Sequence, residues 1–191
     1  KAISTELSGF CFEYLKLKRR VAKQLFADRI ISPYNRLFGN WTEKQIPNTY
    51  NHYADTAMEV LLVQCKSLLE KQTGLKLVEN YSFLRMYKKH DTLFIHKDRP
   101  ECEISCTMNI GGDPWPIFFK KGKSKKIKIV LKAGDLVIYR GCDLQHWRDP
   151  FQGENCTQVF LHYSPSDKKN IASTKYDGRL FLGMPLKDGK N

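Results

Sequence analysis

The hydrophobic pattern changes its period near Gly74, and this change limits the possible folds more than any other feature. Before it, two stretches at 3–26 and about 50–72 carry apolar residues at helical spacing. After it, short apolar runs are separated by clusters of Gly, Pro, Asp and Lys. Two long amphipathic helices followed by many short strands predict helices packed against one face of a β-sandwich or jelly roll.

Eight strands are predicted after Gly74. They lie at 75–78, 83–87, 93–96, 103–110, 117–119, 127–131, 136–139 and 157–163. The chain is then a single domain with three parts: helical support and loop at 1–74, a β-barrel core at 75–165 and a tail at 166–191. We expect Leu180, Phe181 and Leu182 of the tail to pack back on the body. The connection at 27–48 is rich in turn signals and either borders a site or wraps the core.

The chain of 191 residues is long enough for one domain with a core, and its formal net charge is +12. The positive charge is concentrated at 16–20, on the polar face of the first helix, and at 120–126, in a turn between two predicted strands. Such an excess fits an acidic partner such as nucleic acid, or a solvated surface with one basic loop.

The six cysteines form no C-x-x-C pair, which favours reduced thiols and a cytoplasmic location. No apolar run has the length of a transmembrane helix, so we expect no membrane partner. Residues 7–15 mix charges with apolar side chains, and no signal peptide is expected there.

A His-x-Asp pair closes the predicted strand at 93–96. Side chains two residues apart in a strand point to the same face, so His96 and Asp98 can present a nitrogen and an oxygen to one point. His146 follows the predicted strand at 136–139 and would add a second nitrogen. This set leaves coordination positions open, as non-haem Fe(II) requires to bind a co-substrate and O2. A chance match and a zinc hydrolase site are the alternatives, although zinc usually draws more His or Cys ligands.

The order of these motifs resembles the prolyl-4-hydroxylase-like branch of the 2-oxoglutarate/Fe(II)-dependent dioxygenases, including small phage-encoded members. The resemblance covers roughly 81–164. Its first part is Tyr87, nine residues before His96, followed by the pair His96-x-Asp98. Its second part is Ala133-Gly134-Asp135-Leu136 ahead of a predicted strand, with His146 after that strand. The run at 158–163 looks like the last barrel strand of the phage enzymes.

The resemblance implies an α+β fold: a double-stranded β-helix, that is, a jelly-roll or cupin-like barrel, buttressed by two N-terminal helices. It implies Fe(II) bound by His96, Asp98 and His146, with 2-oxoglutarate as co-substrate and O2 as oxidant. The implied reaction hydroxylates a C–H bond, as in the prolyl residues of a peptide or protein, and releases succinate and CO2. The expected compartment is the cytoplasm of the producing cell or of a phage-infected host.

The far carboxylate of 2-oxoglutarate needs a cation, which relatives place roughly ten residues after the second His. Residues 155–158 offer none here. Arg148, two residues beyond His146, is the expected substitute unless it pairs with Asp149 or Glu154 at the rim. Tyr87 either donates its hydroxyl to the same carboxylate or is an ordinary strand aromatic. Thr107 and Asn109, which alternate on the 103–110 strand, are weaker candidates for co-substrate contacts.

Two other functions stay open. The net charge fits an oxidative demethylase of alkylated nucleic acid, but relatives of that kind carry Arg-x5-Arg after the second His. This chain has no Arg between Arg148 and Arg179. The missing late cation fits a catalytically silent barrel that acts as a binding module. His162, on the last strand, is expected to be a wall histidine rather than a ligand.

Overall fold

The computed structural model describes residues 1–169 and 171–186. Helix α1 is Thr5–Ala27, and the Ser4 side chain caps it by accepting from the Leu7 N–H. Helix α2 is Thr56–Thr73, capped by Asp55 at its start and ended by Gly74 in the left-handed conformation (φ 72°), where glycine has no Cβ to clash. The predicted helices are therefore present, and Gly74 ends the second as expected.

The second helix starts later than the predicted position near residue 50. Residues Tyr50–Tyr53 form strand β1 instead and pair with the strand that follows α2. The expectation of a helix there is wrong because Tyr50, Ala54 and Met58 continue the helical spacing by coincidence. Pairing with a neighbouring strand decides the local structure.

The described residues contain nine strands in two antiparallel sheets. The strands are β1 Tyr50–Tyr53, β2 Leu77–Lys88, β3 Leu93–His96, β4 Ile104–Gly112, β5 Ile117–Lys120, β6 Ile127–Ile129, β7 Leu136–Arg140, β8 Gln145–Arg148 and β9 Asn155–Pro165. The major sheet has the order β1-β2-β9-β4-β7, and the minor sheet has the order β3-β8-β5-β6. Strands β2 to β9 thus divide between two sheets as in a jelly roll, which confirms the predicted α+β fold.

Two predicted strands, 75–78 and 83–87, are parts of the one long strand β2. Short helical segments follow β3, at Pro100–Cys102, and follow β9, as α3 Ile171–Thr174 and Lys175–Gly178. None of the helices in the described part of the chain is long and apolar enough to span a membrane. All six cysteines are free thiols.

The main hydrophobic core lies between the two helices and the outer face of the major sheet. Its buried members include Leu15 and Leu62 from the helices and Val159, Leu161 and Tyr163 from β9. The Tyr163 hydroxyl donates to the Leu62 carbonyl at 2.7 Å. Since β9 alternates, its other side chains point into the barrel, where the candidate site lies.

The tail packs differently from the expectation. Leu182 lies against the core, but Leu180 and Phe181 are 77% and 53% exposed. Arg179 is buried instead of Leu180 and Phe181, and its guanidinium lies 2.8 Å from the Glu59 carboxylate on α2. A buried charge needs such a partner, and this ion pair holds the tail on the body. Residues 187–191 of the predicted tail lie outside the described residues.

Candidate metal centre

Strands β3 and β8 bring the three predicted metal ligands together. His96 and His146 are register partners in the antiparallel pair, with ring centroids 4.3 Å apart. Asp98 follows β3, and its Oδ1 lies 3.6 Å from His96 Nε2 and 3.3 Å from His146 Nε2. One ligand atom from each residue lies within 4.8 Å of the others. The separation is small enough for a single ion to contact all three.

Backbone carbonyls fix both imidazole rings. His96 Nδ1 lies 2.8 Å from the Phe94 carbonyl, and His146 Nδ1 lies 3.1 Å from the Leu144 carbonyl. Because a carbonyl oxygen only accepts, each Nδ1 carries the hydrogen and donates it. Each Nε2 is then the nitrogen that faces Asp98. This is the arrangement in which a ring can offer a lone pair to a metal.

Asp98 is held from two sides. Its N–H donates to the Gly141 carbonyl, and its Oδ2 accepts from the Ser105 hydroxyl at 2.9 Å. Burial raises the pKa of Asp98, but hydrogen bonds that Nε2 of His146 and of His96 donate when the rings are protonated outweigh burial and hold the pKa well below its usual range. A bound metal would take the place of these Nε2 hydrogens. Burial lowers the pKa of His96, but its bonds to Asp98 and Phe94 give a net upward shift. The carboxylate is therefore ionised at neutral pH.

His162 reaches the site through Ser105. Its Nδ1 lies 3.0 Å from Ser105 Oγ, and its ring packs 4.5 Å from that of Tyr81. The Ser105 hydroxyl has one hydrogen, shared between Asp98 and the Cys102 carbonyl, so His162 Nδ1–H is the donor in its own contact. Burial lowers the pKa of His162 to about 4, which leaves the ring neutral at pH 7. Sequence reasoning expected a wall histidine and missed this link to Asp98.

The three residues open into a cavity of about 370 Å³. Arg85, on the same face of β2 as Tyr87, lines it and is 3% exposed. From the connection before β1, Glu43 pairs with the Arg85 guanidinium at 2.8 Å, and Gln45 accepts from it. The connection before β1 therefore borders the cavity. The sequence analysis did not identify Arg85 as a residue of the site. A larger groove of about 950 Å³, between α1 and the same connection, contains none of the three ligand residues.

Arg148 is buried inside the barrel, 1% exposed. It donates through Nη1 to the Trp115 carbonyl, and its guanidinium carbon lies 5.1 Å from the Trp115 ring centroid. Within the described chain, its Nε and Nη2 have no hydrogen-bond partner and no carboxylate lies within ion-pair distance. The rim salt bridge does not form, since Glu154 pairs with Lys89. Burial lowers the pKa of Arg148, and an unpaired buried guanidinium is costly unless an anion meets it.

The other predicted co-substrate contacts are also buried in the barrel. Tyr87 lies edge-on to Trp115, with ring centroids 4.8 Å apart. Thr107 donates to the Gln158 side chain at 3.2 Å, and Asn109 donates to the Leu131 carbonyl at 2.8 Å. Tyr87, Thr107 and Asn109 are not among the described residues that line the cavity of the three ligands, and neither is Arg148. Thr107 and Asn109 already donate to partners in the barrel, whereas Arg148 keeps Nε and Nη2 without an acceptor, so they are less suited to bind a carboxylate than Arg148.

Comparison with known proteins supports the fold. No protein-family model matches the sequence, and no curated protein matches it. Among solved structures, a Pseudomonas putida prolyl-4-hydroxylase has a TM-score of 0.56 at 14% identity, covering 84% of this chain and 88% of that chain. HygX from Streptomyces hygroscopicus, solved with nickel and 2-oxoglutarate bound, has a TM-score of 0.52 at 10% identity, covering 66% and 73%.

A prolyl hydroxylase from Trichoplax adhaerens, in complex with a hypoxia inducible factor oxygen degradation domain peptide fragment, has a TM-score of 0.52. It is 13% identical, and the match covers 69% of this chain and 70% of that chain. At such identities the likeness concerns the fold alone, and the chain shares the jelly-roll fold of these oxygenases. The finer resemblance to phage-encoded members stays a prediction.

Proposed function

We propose that this protein is an Fe(II)- and 2-oxoglutarate-dependent dioxygenase that hydroxylates a C–H bond and releases succinate and CO2. The observation that carries the proposal is the convergence of His96 Nε2, His146 Nε2 and Asp98 Oδ1 on one point, with both rings oriented by backbone carbonyls. Two structures with the same fold are named prolyl hydroxylases, and a third was solved with 2-oxoglutarate bound.

The donor set fits Fe(II). Two imidazole nitrogens and one carboxylate oxygen on one side of the ion leave the other positions free for a bidentate co-substrate and O2. Bound iron and 2-oxoglutarate would supply the oxidising chemistry. The chain would supply position: His96 and His146 hold their Nε2 atoms toward the ion, and Ser105 holds the far oxygen of Asp98 so that the near oxygen faces it.

Arg148 is our candidate for the far carboxylate of 2-oxoglutarate. Its two buried N–H groups without an acceptor can meet a carboxylate in the planar geometry that guanidinium favours. Tyr87, which packs on Trp115 as Arg148 does, would add its hydroxyl, which also accepts from Arg85 at 3.4 Å. Arg85 is the rival cation, but Glu43 already neutralises it. Thr107 and Asn109 remain lesser candidates for co-substrate contacts.

The proposed substrate is a peptide or protein, with a prolyl residue as the acceptor. The named prolyl hydroxylases support this choice, one of them with a peptide in its complex. The demethylase alternative gains nothing from Arg179, because that residue is bound to Glu59 and to the Asn80 carbonyl. The unpaired Arg148 also weakens the silent-barrel alternative, since it can replace the missing late cation.

The test is an anaerobic titration with Fe(II) and then 2-oxoglutarate, following the visible charge-transfer band of the chelate. We expect a band only when both are present, and none in His146→Ala. His90→Asn is the matched control, since His90 is exposed in a turn at φ 71°, a conformation that Asn tolerates. A folded wild-type protein that binds Fe(II) but gives no band and forms no succinate in air would support the silent-barrel alternative.

A further inference from the structure

Strands β5 and β6 are joined by a hairpin with an unusual charge. Between residues 117 and 134 the sequence has no Asp or Glu, and its seven lysines are Lys120, Lys121, Lys123, Lys125, Lys126, Lys128 and Lys132. None of them forms an ion pair with a residue of the described chain. Elsewhere most of the paired lysines meet a carboxylate at about 3 Å, as Lys16, Lys66 and Lys89 do. The hairpin therefore carries a concentrated positive charge that no carboxylate of the described chain neutralises.

The outer face of the minor sheet carries aromatic rings next to these lysines. On β8, His146 and Arg148 point into the barrel, so Trp147 between them points outward. Trp147 is the register partner of Phe118 on β5, and the two rings stack with centroids 5.5 Å apart and an interplanar angle of 21°. The Lys126 ammonium lies 4.5 Å from the centroid of the Phe118 ring. Rings and cations thus share one surface.

A β-bulge extends this surface to the edge strand. Leu93 pairs with Arg148 and His96 pairs with His146, so both Phe94 and Ile95 lie opposite Trp147. Their side chains are 73% and 54% exposed. A row across the sheet therefore runs from Phe94 and Ile95 through Trp147 and Phe118 to Lys128, which pairs with Phe118. We name this row, with the lysine hairpin, the outer platform.

We propose that the outer platform binds single-stranded nucleic acid. Unpaired lysines attract phosphates and release counterions. The exposed ring of Phe94 and the half-buried ring of Trp147 can stack on unpaired bases, whereas Phe118, 7% exposed, supports Trp147 from the sheet. An acidic peptide would engage the lysines but has no base faces for the rings. A duplex keeps its base faces stacked internally. The platform lies on the side of β8 opposite to His146, so it is separate from the proposed oxygenase site.

The test measures binding of the full chain to a fluorescein-labelled oligothymidylate of 15 nucleotides by fluorescence anisotropy, between 50 and 300 mM KCl with EDTA present. EDTA removes any dependence on metal and therefore on the proposed enzyme activity. We expect salt-dependent binding that is tighter for the single strand than for a duplex of equal length. The triple variant K121Q/K123Q/K125Q should lower the slope of log affinity against log salt by about 2, since each single-strand phosphate contact contributes about 0.7.

The matched charge control is R20Q/K23Q/K71Q, which removes three positive charges from the exposed faces of the helices. It should leave the slope unchanged. For stacking, Phe94→Ala should weaken binding by roughly 5- to 150-fold. Phe10→Ala is its control, because Phe10 is 68% exposed on α1, which packs on the major sheet rather than on the minor sheet that carries the platform. Both phenylalanines are exposed, so neither change removes a core side chain.

Four results would overturn the proposal. They are no binding at 50 mM KCl, equal loss of affinity in both triple variants, an unchanged affinity in Phe94→Ala, and binding of a duplex as tight as that of the single strand. Competition by polyglutamate as effective as by unlabelled oligothymidylate would also overturn it and would identify an acidic protein as the partner. Binding that depends on the hairpin lysines and on Phe94, but not on the control residues, supports it.

Discussion

Arg148 and His146 point into the barrel from the same strand, two residues apart, and the guanidinium keeps two N–H groups without an acceptor. This places a buried cation on the same strand as one candidate metal ligand, although its guanidinium lies against Trp115 and not among the residues that line the cavity of the three ligands. In the proposed enzyme, the far carboxylate of 2-oxoglutarate would take both N–H groups, whereas the metal would be held by His146 and its partners alone.

Arg148→Gln should therefore weaken 2-oxoglutarate binding while Fe(II) binding is retained. Loss of a charge-assisted hydrogen bond costs about 1.5–3 kcal/mol, which is roughly 10- to 150-fold in affinity. The measurement is the 2-oxoglutarate dependence of the charge-transfer band. Arg148→Lys should not restore binding, since lysine lacks the planar pair of donors. If Arg85→Gln abolishes 2-oxoglutarate binding and Arg148→Gln does not, the carboxylate role belongs to Arg85.

Arg148 should lower the stability of the fold when no co-substrate is bound. Arg148→Met replaces an unpaired buried charge by an apolar side chain of similar length, and we expect the free energy of unfolding to rise by roughly 1 kcal/mol or more. Urea unfolding of the metal-free protein measures this. Addition of 2-oxoglutarate and metal should stabilise the wild type more than the variant. A variant less stable than wild type would show that the Trp115 contacts of Arg148 outweigh its burial cost.

Gly141 sits against Asp98 so closely that a side chain there would disturb the site. A Cβ on Gly141 would clash with Asp98 Oδ2 and with the Cys102 carbonyl. Gly141→Ala should displace Asp98 and weaken binding of Fe(II) or Mn(II) by about tenfold or more, as for other changes around metal ligands. Titration calorimetry measures the affinity. Gly9→Ala, on α1 with open space around its Cβ, is the matched control and should leave it unchanged.

The clustering of His96, Asp98 and His146 could be predicted because it depends on local rules. Two-residue spacing puts His96 and Asp98 on one face. His146 lies on β8, which follows β7 after a short turn and pairs with β3 beside them. The same rule contained a signal for Arg85, which is two residues from Tyr87 on a predicted strand and so shares its inward face. No motif surrounds Arg85, so the sequence does not distinguish it from an ordinary strand residue.

Other features depend on distant pairing and could not be read from local pattern. The helical spacing of Tyr50, Ala54 and Met58 continues through β1, and only the neighbouring β2 makes that segment a strand. The burial of Arg179 requires Glu59, 120 positions earlier in the chain. The link from His162 to Asp98 requires β9 to lie beside β4, which places His162 opposite Ser105.

His162 should make the metal-free protein less stable in mild acid. Its pKa is lowered by burial from 6.5 to about 4, so between these values the unfolded chain binds a proton that the folded chain does not. The stabilising contribution is complete above pH 6.5 and is lost as the pH falls toward 4, by about 3 kcal/mol in total. Urea unfolding between pH 7 and pH 4.5 measures the slope. His162→Gln should flatten it, whereas His90→Asn, at an exposed position, should not. An equal slope in wild type and His162→Gln would show that the acid sensitivity arises from other groups.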